Sequence, residues 1–187
     1  MDTVRQNFSA YFRTTQIIFF ALLAGQILAS GVLLFVLSPG LINQTYRGEE
    51  GTGVSTGIVL YIPHTNKAFK DAYLNYLAPL AVIGLLGLSF YLYVIKVRAA
   101  KEHANLQEKL LAYRSAQILK WALIEAATLI GVVTFMISGN IKYLILTGAS
   151  MVVFALQGPS KTKLINDLDL SVEEQSILDD PDAVVVT

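Results

Sequence analysis

Four long apolar blocks restrict the fold of this chain more than any other feature. They run over residues 15–37, 73–95, 116–138 and 141–157. About 20 apolar residues in an α-helix, at a rise of ~1.5 Å each, cross the ~30 Å hydrocarbon core of a bilayer. A transmembrane β-barrel would show alternating segments of about ten residues instead. The blocks therefore predict an all-α fold, an integral membrane bundle of four transmembrane helices.

The composition supports a membrane location. Of the 187 residues, 54% are hydrophobic and only 15% are charged, whereas a soluble domain typically carries about 25% charged residues. The chain contains no cysteine and has a formal net charge of zero. These counts exclude a disulfide scaffold and a thiolate metal site, and they predict the lipid bilayer, not nucleic acid, as a partner.

The blocks and the charges together predict a topology. We expect a transmembrane domain over 1–158, with an external loop at 38–72 and a cytoplasmic loop at 96–115, followed by an acidic cytoplasmic tail at 159–187. Ten of the 14 Lys and Arg residues fall on the side of the termini. By the positive-inside rule both termini are cytoplasmic, in a membrane that we expect to be a bacterial inner membrane. Within the external loop, "GIVLYI" predicts a short strand or an interfacial patch.

The tail is predicted to fold and to dock. Residues Ser171–Glu174 have the spacing of a capping box, which predicts a helix start. The apolar side chains that we expect to dock are Leu164, Ile165, Leu168 and Leu170. The sequence allows two alternatives for the docking site of the tail: the chain's own cytoplasmic loop or a partner protein. The last few residues are expected to be frayed.

The cytoplasmic loop lacks Pro and Gly, and it carries Leu106, Leu110 and Tyr113 at helical spacing. This pattern predicts that the second helix continues into an amphipathic segment, which lies on lipid headgroups, packs against a partner chain or packs against the protein's own tail. Lys120, at the edge of the third block, is predicted to extend its ammonium group to the headgroups.

One carboxylate, Glu125, lies inside the third block, about 14 Å along the helix from Ala116. A charge near the bilayer centre costs ~2.5–3.5 kcal/mol, and such residues usually face the bundle interior. We expect Glu125 to share a polar layer with residues of similar depth on all four helices, namely Gln26, Ser89, Thr128 and Ser150. Two interpretations remain open. Glu125 is either a proton or cation carrier, or a protonated acid that hydrogen-bonds Gln26 or a serine.

Small residues predict where helices approach each other closely. Ala21, Gly25 and Ala29 form a small-xxx-small ridge on the first helix, and Ala122 with Ala126 forms another on the third. Such ridges favour close helix packing in membranes.

The segment "ALIEAATLIGVVTFMISGN" resembles the carboxylate helix of the rotor-ring proteolipid of F-type ATP synthases. The resemblance covers about a tenth of the chain and implies that Glu125 is an ion-binding carboxylate. That family also needs a G-x-G-x-G helix, which this sequence does not contain.

The chain resembles small four-helix bacterial membrane proteins whose cytoplasmic tail has the pattern P-[ST]-K-x-K followed by D-L-x-L. The matching residues are Pro159, Ser160, Lys161, Lys163, Asp167, Leu168 and Leu170. This resemblance covers most of the chain. It implies the four-helix fold and no particular activity.

These patterns predict a non-enzymatic accessory or scaffold subunit of an inner-membrane complex. The sequence shows no nucleophile triad, metal cluster or phosphate loop, so we expect no catalytic residue, metal or cofactor. The tail and the amphipathic segment suit contacts with other membrane-protein subunits or with a second copy. The alternative is a small proton- or ion-coupled carrier or channel that uses Glu125.

Overall fold

The computed structural model describes residues 6–45, 73–138, 140–180 and 183–186. Most of the predicted external loop, residues 46–72 with the "GIVLYI" segment, lies outside the described residues.

The described residues are almost entirely helical. Their six α-helices are α1 (Phe8–Thr45), α2 (Ala78–Lys101), α3 (Leu106–Ser138), α4 (Ile141–Ala155), α5 (Lys161–Leu168) and α6 (Val172–Asp179). A π-helical turn, Tyr73–Leu77, leads into α2. Two short strands near the chain ends, β1 (Gln6–Asn7) and β2 (Val184–Val186), pair in antiparallel fashion.

Three helical segments are long and apolar enough to cross a membrane. They are Phe8–Val32, Tyr73–Lys101 and Leu106–Met136, with mean hydropathies of 1.7, 2.1 and 1.7. The fourth predicted block corresponds to α4, which is apolar but has only 15 residues. The all-α class and three membrane-spanning lengths are therefore confirmed.

Helix α3 lies at the centre of the bundle, where it contacts α1, α2 and α4. Half of the most apolar 18-residue stretch of α3 is buried, whereas only 22% of the corresponding stretch is buried in each of the other two long segments. It packs very closely on α4, because a Cβ atom added at Gly131 would lie only 2.5 Å from Thr147 Oγ1. The α3–α4 turn is short, and Asn140 caps α4 by accepting a hydrogen bond from the backbone N–H of Lys142.

Two helix boundaries differ from the prediction. Helix α1 continues to Thr45 instead of ending near residue 37, since a proline such as Pro39 removes one backbone donor and can bend a helix without ending it. The predicted cytoplasmic loop at 96–115 shrinks to a turn at 102–105. The second helix continues into this loop as predicted, but only to Lys101. Leu106 and Tyr113 instead lie in the first turns of α3.

The tail folds into α5 and α6. The predicted capping box is confirmed: the Glu174 backbone N–H donates to Ser171 Oγ, and the Ser171 N–H donates to Glu174 Oε2. Asp169, in the left-handed region at φ 49°, ends α5 and turns the chain toward α6. Among the last few residues, which are expected to be frayed, the described segment Val184–Val186 pairs with β1.

Candidate functional site

The tail packs against one end of the bundle, where α1 and α3 begin and α2 ends. The buried apolar side chains at this tail-docking end are Phe8, Tyr11, Tyr93, Val97, Ala100, Leu110, Tyr113, Ala116, Leu164, Leu168, Leu170 and Leu178. Ile165 is partly buried against them. The apolar side predicted for docking therefore contacts the chain's own helices.

A carboxylate of the tail is held by two buried tyrosines of the bundle. Tyr93 on α2 donates its hydroxyl hydrogen to Asp167 Oδ2 at 2.5 Å, and Tyr113 on α3 donates to the same oxygen at 3.0 Å. The two hydroxyl oxygens lie 3.2 Å apart. Hydrogen bonds to charged groups contribute about 1.5–3 kcal/mol each, so Asp167 ties α5 to α2 and α3.

Lys120 is buried beside these groups, with only 1% of its surface exposed. Its Nζ lies 3.7 Å from the centre of the Tyr93 ring and donates to Gln157 Oε1 at 3.0 Å. Lys163 of the tail donates to the same Gln157 oxygen at 3.1 Å. The prediction that Lys120 reaches the headgroups was wrong, because the aromatic face and the amide oxygen bind the ammonium group inside the bundle.

Helical spacing brings these side chains together, and we call them the tail-anchoring cluster: Tyr93, Tyr113, Lys120, Gln157, Lys163 and Asp167. On α5, Lys163 and Asp167 are four residues apart and therefore share a face, as do Leu164 and Leu168 beside them. On α3, Tyr113 and Lys120 are seven residues apart, which is two turns of the same face. Gln157 lies between the bundle and the tail. Trp121 holds it in place, since the Trp121 Nε1–H donates to the Gln157 backbone carbonyl at 3.1 Å.

Ion pairs surround the docked tail. Lys109 pairs with Glu174 at 2.6 Å, and Lys101 and Lys161 pair with two tail aspartates, Asp169 and Asp179. Partial burial raises the pKa of the Glu174 carboxyl. The hydrogen bonds from Lys109 and from the Ser171 N–H outweigh that effect, so the net pKa is lowered. Glu174 thus contributes to tail docking as a carboxylate.

Four members of the predicted polar layer are buried, namely Gln26, Ser89, Thr128 and Ser150, but hydrogen bonds do not join them. Ser89, Thr128 and Ser150 each donate to a backbone carbonyl of their own helix, at 2.7–3.0 Å. Gln26 is buried on α1, and neither its Oε1 nor its Nε2 has a hydrogen-bond partner among the described residues. Glu125 is only half-buried, and it makes no hydrogen bond or ion pair within the described part of the chain.

The predicted small-residue ridges lie mostly on the outside of the bundle. Ala21, Gly25 and Ala122 are exposed, and Ala29 and Ala126 are half-buried. Nothing lies within 4 Å of a Cβ atom added at Gly25. Close helix approach within the chain occurs instead at Gly131, which the small-xxx-small pattern does not identify.

The tail-anchoring cluster is suited to holding a segment in place. Its donors and acceptors satisfy one another: Asp167 accepts from both tyrosines, and Gln157 accepts from both lysines. In the described residues, no group of three or more His, Asp or Glu side chains is placed to hold a metal ion. The sequence analysis missed this cluster, although one signal was available: a lysine in an apolar block needs an acceptor, and the tail resemblance already contained Lys163 and Asp167.

Comparison with known proteins found no family model, no curated protein and no solved structure that matches this chain.

Proposed function

We propose that this chain is a four-span membrane protein with both termini in the cytoplasm, and that it serves as a non-enzymatic scaffold or accessory subunit of a bacterial inner-membrane complex. The pairing of β1 with β2 supports the topology, because chain ends that pair must lie on the same side of the membrane. An even number of crossings then requires α4 to cross as well as the three longer helices. At about 1.5 Å per residue, α4 spans about 22 Å, so local thinning of the bilayer or flanking residues must supply the rest.

The observation that carries the scaffold function is the docked tail. Because Leu164 and Leu168 are buried on the chain's own bundle, the tail is a folded extension of the membrane domain. Its outer surface, on α6, presents Val172, Glu173 and Ile177, and the two apolar side chains are 79% and 40% exposed. An acidic surface with exposed apolar residues on a rigid support suits the binding of a partner that carries basic and apolar groups.

The experiment is purification of the tagged full-length chain in a mild detergent, followed by measurement of the mass and chain composition of the particle. We expect a second protein at a fixed ratio, and we expect it to be lost from a Val172→Asp, Ile177→Asp double variant. Thr162→Asp, at an exposed position on α5, is the matched control and should retain the partner. Surface substitutions are preferable to deletion of the tail, since deletion would uncover Tyr11, Leu110 and Tyr113.

A particle that contains only this chain, with the wild type and the double variant alike, would contradict the scaffold function. A partner that remains bound to the double variant would show that the tail surface is not its binding site.

A second candidate, a proton- or ion-coupled carrier, is favoured by one observation: Glu125 lies deep in a membrane-spanning segment without a hydrogen-bond partner in the described part of the chain. The test is pH-dependent flux in liposomes that contain only this chain. Flux that disappears with Glu125→Gln supports a carrier, and equal flux with both proteins removes it.

A further inference from the structure

One face of α3 is directed away from the rest of the bundle. Its residues follow one another at spacings of four, three, four and four, so they lie along one side of the helix. We call them the α3 outer face: Ile118, Ala122, Glu125, Leu129 and Val133. Leu129 and Val133 are 44% and 47% exposed, and Ile118 and Ala122 are exposed as well.

Glu125 lies in the middle of this apolar face. At ~1.5 Å per residue it is about 28 Å from Leu106 and about 20 Å from Ser138, so its short side chain reaches neither end of the helix. The other deep polar side chains of α3 are buried, and Thr128 and Thr134 donate to carbonyls of α3 itself. Glu125 differs from them, because the described residues offer it no hydrogen bond.

The surroundings of Glu125 permit another helix to come close. Ala122 precedes it by one turn on the outer face, and Ala126 beside it is half-buried. Small side chains let helix backbones approach within a membrane, and an interhelical hydrogen bond between polar side chains then strengthens the contact.

We propose that the α3 outer face is a homodimer interface, in which Glu125 of one chain hydrogen-bonds Glu125 of a second copy. A two-fold axis along the membrane normal brings each residue opposite its own copy at the same depth. A protonated carboxyl group carries both a donor and an acceptor, so it is complementary to itself. Any other partner must present a matching polar group at this same depth, whereas a second copy does so by symmetry. The interface lies apart from the tail surface, and the inference does not depend on the scaffold function.

The test uses the natural absence of cysteine from the chain. Single cysteines at Ala122 and Leu129 report on the outer face, since a disulfide forms only when two Cα atoms come within about 7 Å. The control is Ile83→Cys, which is 60% exposed on α2. At ~1.5 Å per residue, Ile83 lies about 27 Å from Lys101, between the depths of the two reporters, which are about 24 Å and 34 Å from Leu106.

We expect oxidation in lipid vesicles to produce a band of twice the chain mass with Ala122→Cys or Leu129→Cys, at least tenfold more intense than with Ile83→Cys. Equal bands at all three positions, or no band at the outer face, would overturn the proposal. So would crosslinking of these cysteines to a different protein in native membranes. These variants retain Glu125, so the result does not depend on tolerance of a substitution at that position.

Energy transfer between labelled copies in vesicles tests the role of the carboxyl group. Glu125→Leu should weaken the dimer about tenfold, and Glu125→Gln should weaken it less than about threefold, because the amide also donates and accepts. Unchanged association of Glu125→Leu would refute the carboxyl pairing. The scaffold function would be unaffected by that outcome, since its test reads the composition of the particle and not the number of copies.

Discussion

Tyr93 and Asp167, 74 residues apart in the chain, are joined by a 2.5 Å hydrogen bond between the hydroxyl group and the carboxylate. This bond connects α2, which is long and apolar enough to cross a membrane, to the first helix of the tail. Tyr113 donates to the same oxygen, so one tail carboxylate satisfies two buried hydroxyl groups on two different helices. The tail is consequently part of the folded membrane domain.

Asp167→Ala should release the tail, because Tyr113 loses its carboxylate acceptor and Tyr93 keeps only the longer 3.2 Å bond to the Tyr113 hydroxyl. A buried hydroxyl group left without an acceptor costs about 1–3 kcal/mol. We expect cleavage of the tail by added protease to become at least tenfold faster in detergent solution. Asp179→Ala is the control: its ion pair with Lys161 is mostly exposed, and such pairs contribute about 1 kcal/mol or less. Equal cleavage rates for the two variants would contradict the role assigned to Asp167.

The burial of Lys120 predicts slow reaction with an amine-specific acylating reagent. Exposed Lys96 should be modified at least tenfold faster than Lys120 in the purified protein, as measured by mass spectrometry of the digested chain. In the Asp167→Ala variant Lys120 should become more reactive, while Lys96 should not change. Rapid modification of Lys120 in the wild type would show that its ammonium group reaches the headgroups after all.

Gly131→Ala should destabilise the α3–α4 hairpin by about 1–3 kcal/mol, because the added methyl group overlaps Thr147 Oγ1 and displaces its hydrogen bond to the Tyr143 carbonyl. Thermal unfolding in detergent measures the change. Gly148→Ala is the matched control, since nothing lies within 4 Å of the added atom. It should be neutral or slightly stabilising, given the better helix propensity of alanine.

Tail docking should weaken at acid pH through Glu174. Its pKa is lowered in the folded protein, so its contribution is complete above the ordinary carboxyl pKa of about 4.3 and is lost as the pH falls through the lower folded value. Amide hydrogen exchange of α6, followed from pH 6 to pH 3 and corrected for intrinsic rates, should show this loss. In the Glu174→Gln variant, the exchange of α6 should depend much less on pH. Adding Lys109→Met to that variant should cause little further change in the pH dependence.

The proposed topology predicts which side of the membrane each turn faces. Cysteines placed at Ser9 and Ser176 should react with a membrane-impermeant thiol reagent only from the cytoplasmic side, and a cysteine at Asn140 only from the outside. Labelling of intact cells and of inverted vesicles distinguishes the two sides. Reaction at Ser9 from the cytoplasm together with reaction at Ser176 from the outside would show that α4 does not cross.

The sequence was sufficient to predict the all-α class, because uninterrupted apolar blocks have few other stable conformations. It was also sufficient for the α6 capping box, where Ser171 and Glu174 satisfy backbone groups only a few residues away. It was not sufficient for the start of α3. Leu106 and Tyr113 have the same helical spacing whether they extend the preceding helix or begin the next one.

The candidate site was harder to predict, because it depends on contacts between distant segments. Lys120 and Asp167 lie on different elements, and only the docking of α5 brings them near each other. The side of the bundle toward which Glu125 is directed could not be predicted either. Its depth follows from counting residues along one helix, whereas the side of α3 that remains uncovered depends on how α1, α2 and α4 pack around it.

The position of the anchoring residues after the four apolar helices has a consequence for biosynthesis. A ribosome completes these helices before it makes Lys163, Asp167 and Leu168, so the surface that receives them stays open until the tail has been made. A chain that terminates before Ser160 would keep Leu110 and Tyr113 uncovered and Lys120 without part of its surroundings. Closure of this surface therefore distinguishes a chain that contains the tail from one that stops before it, and proteases that recognise exposed apolar segments would act selectively on the shorter product.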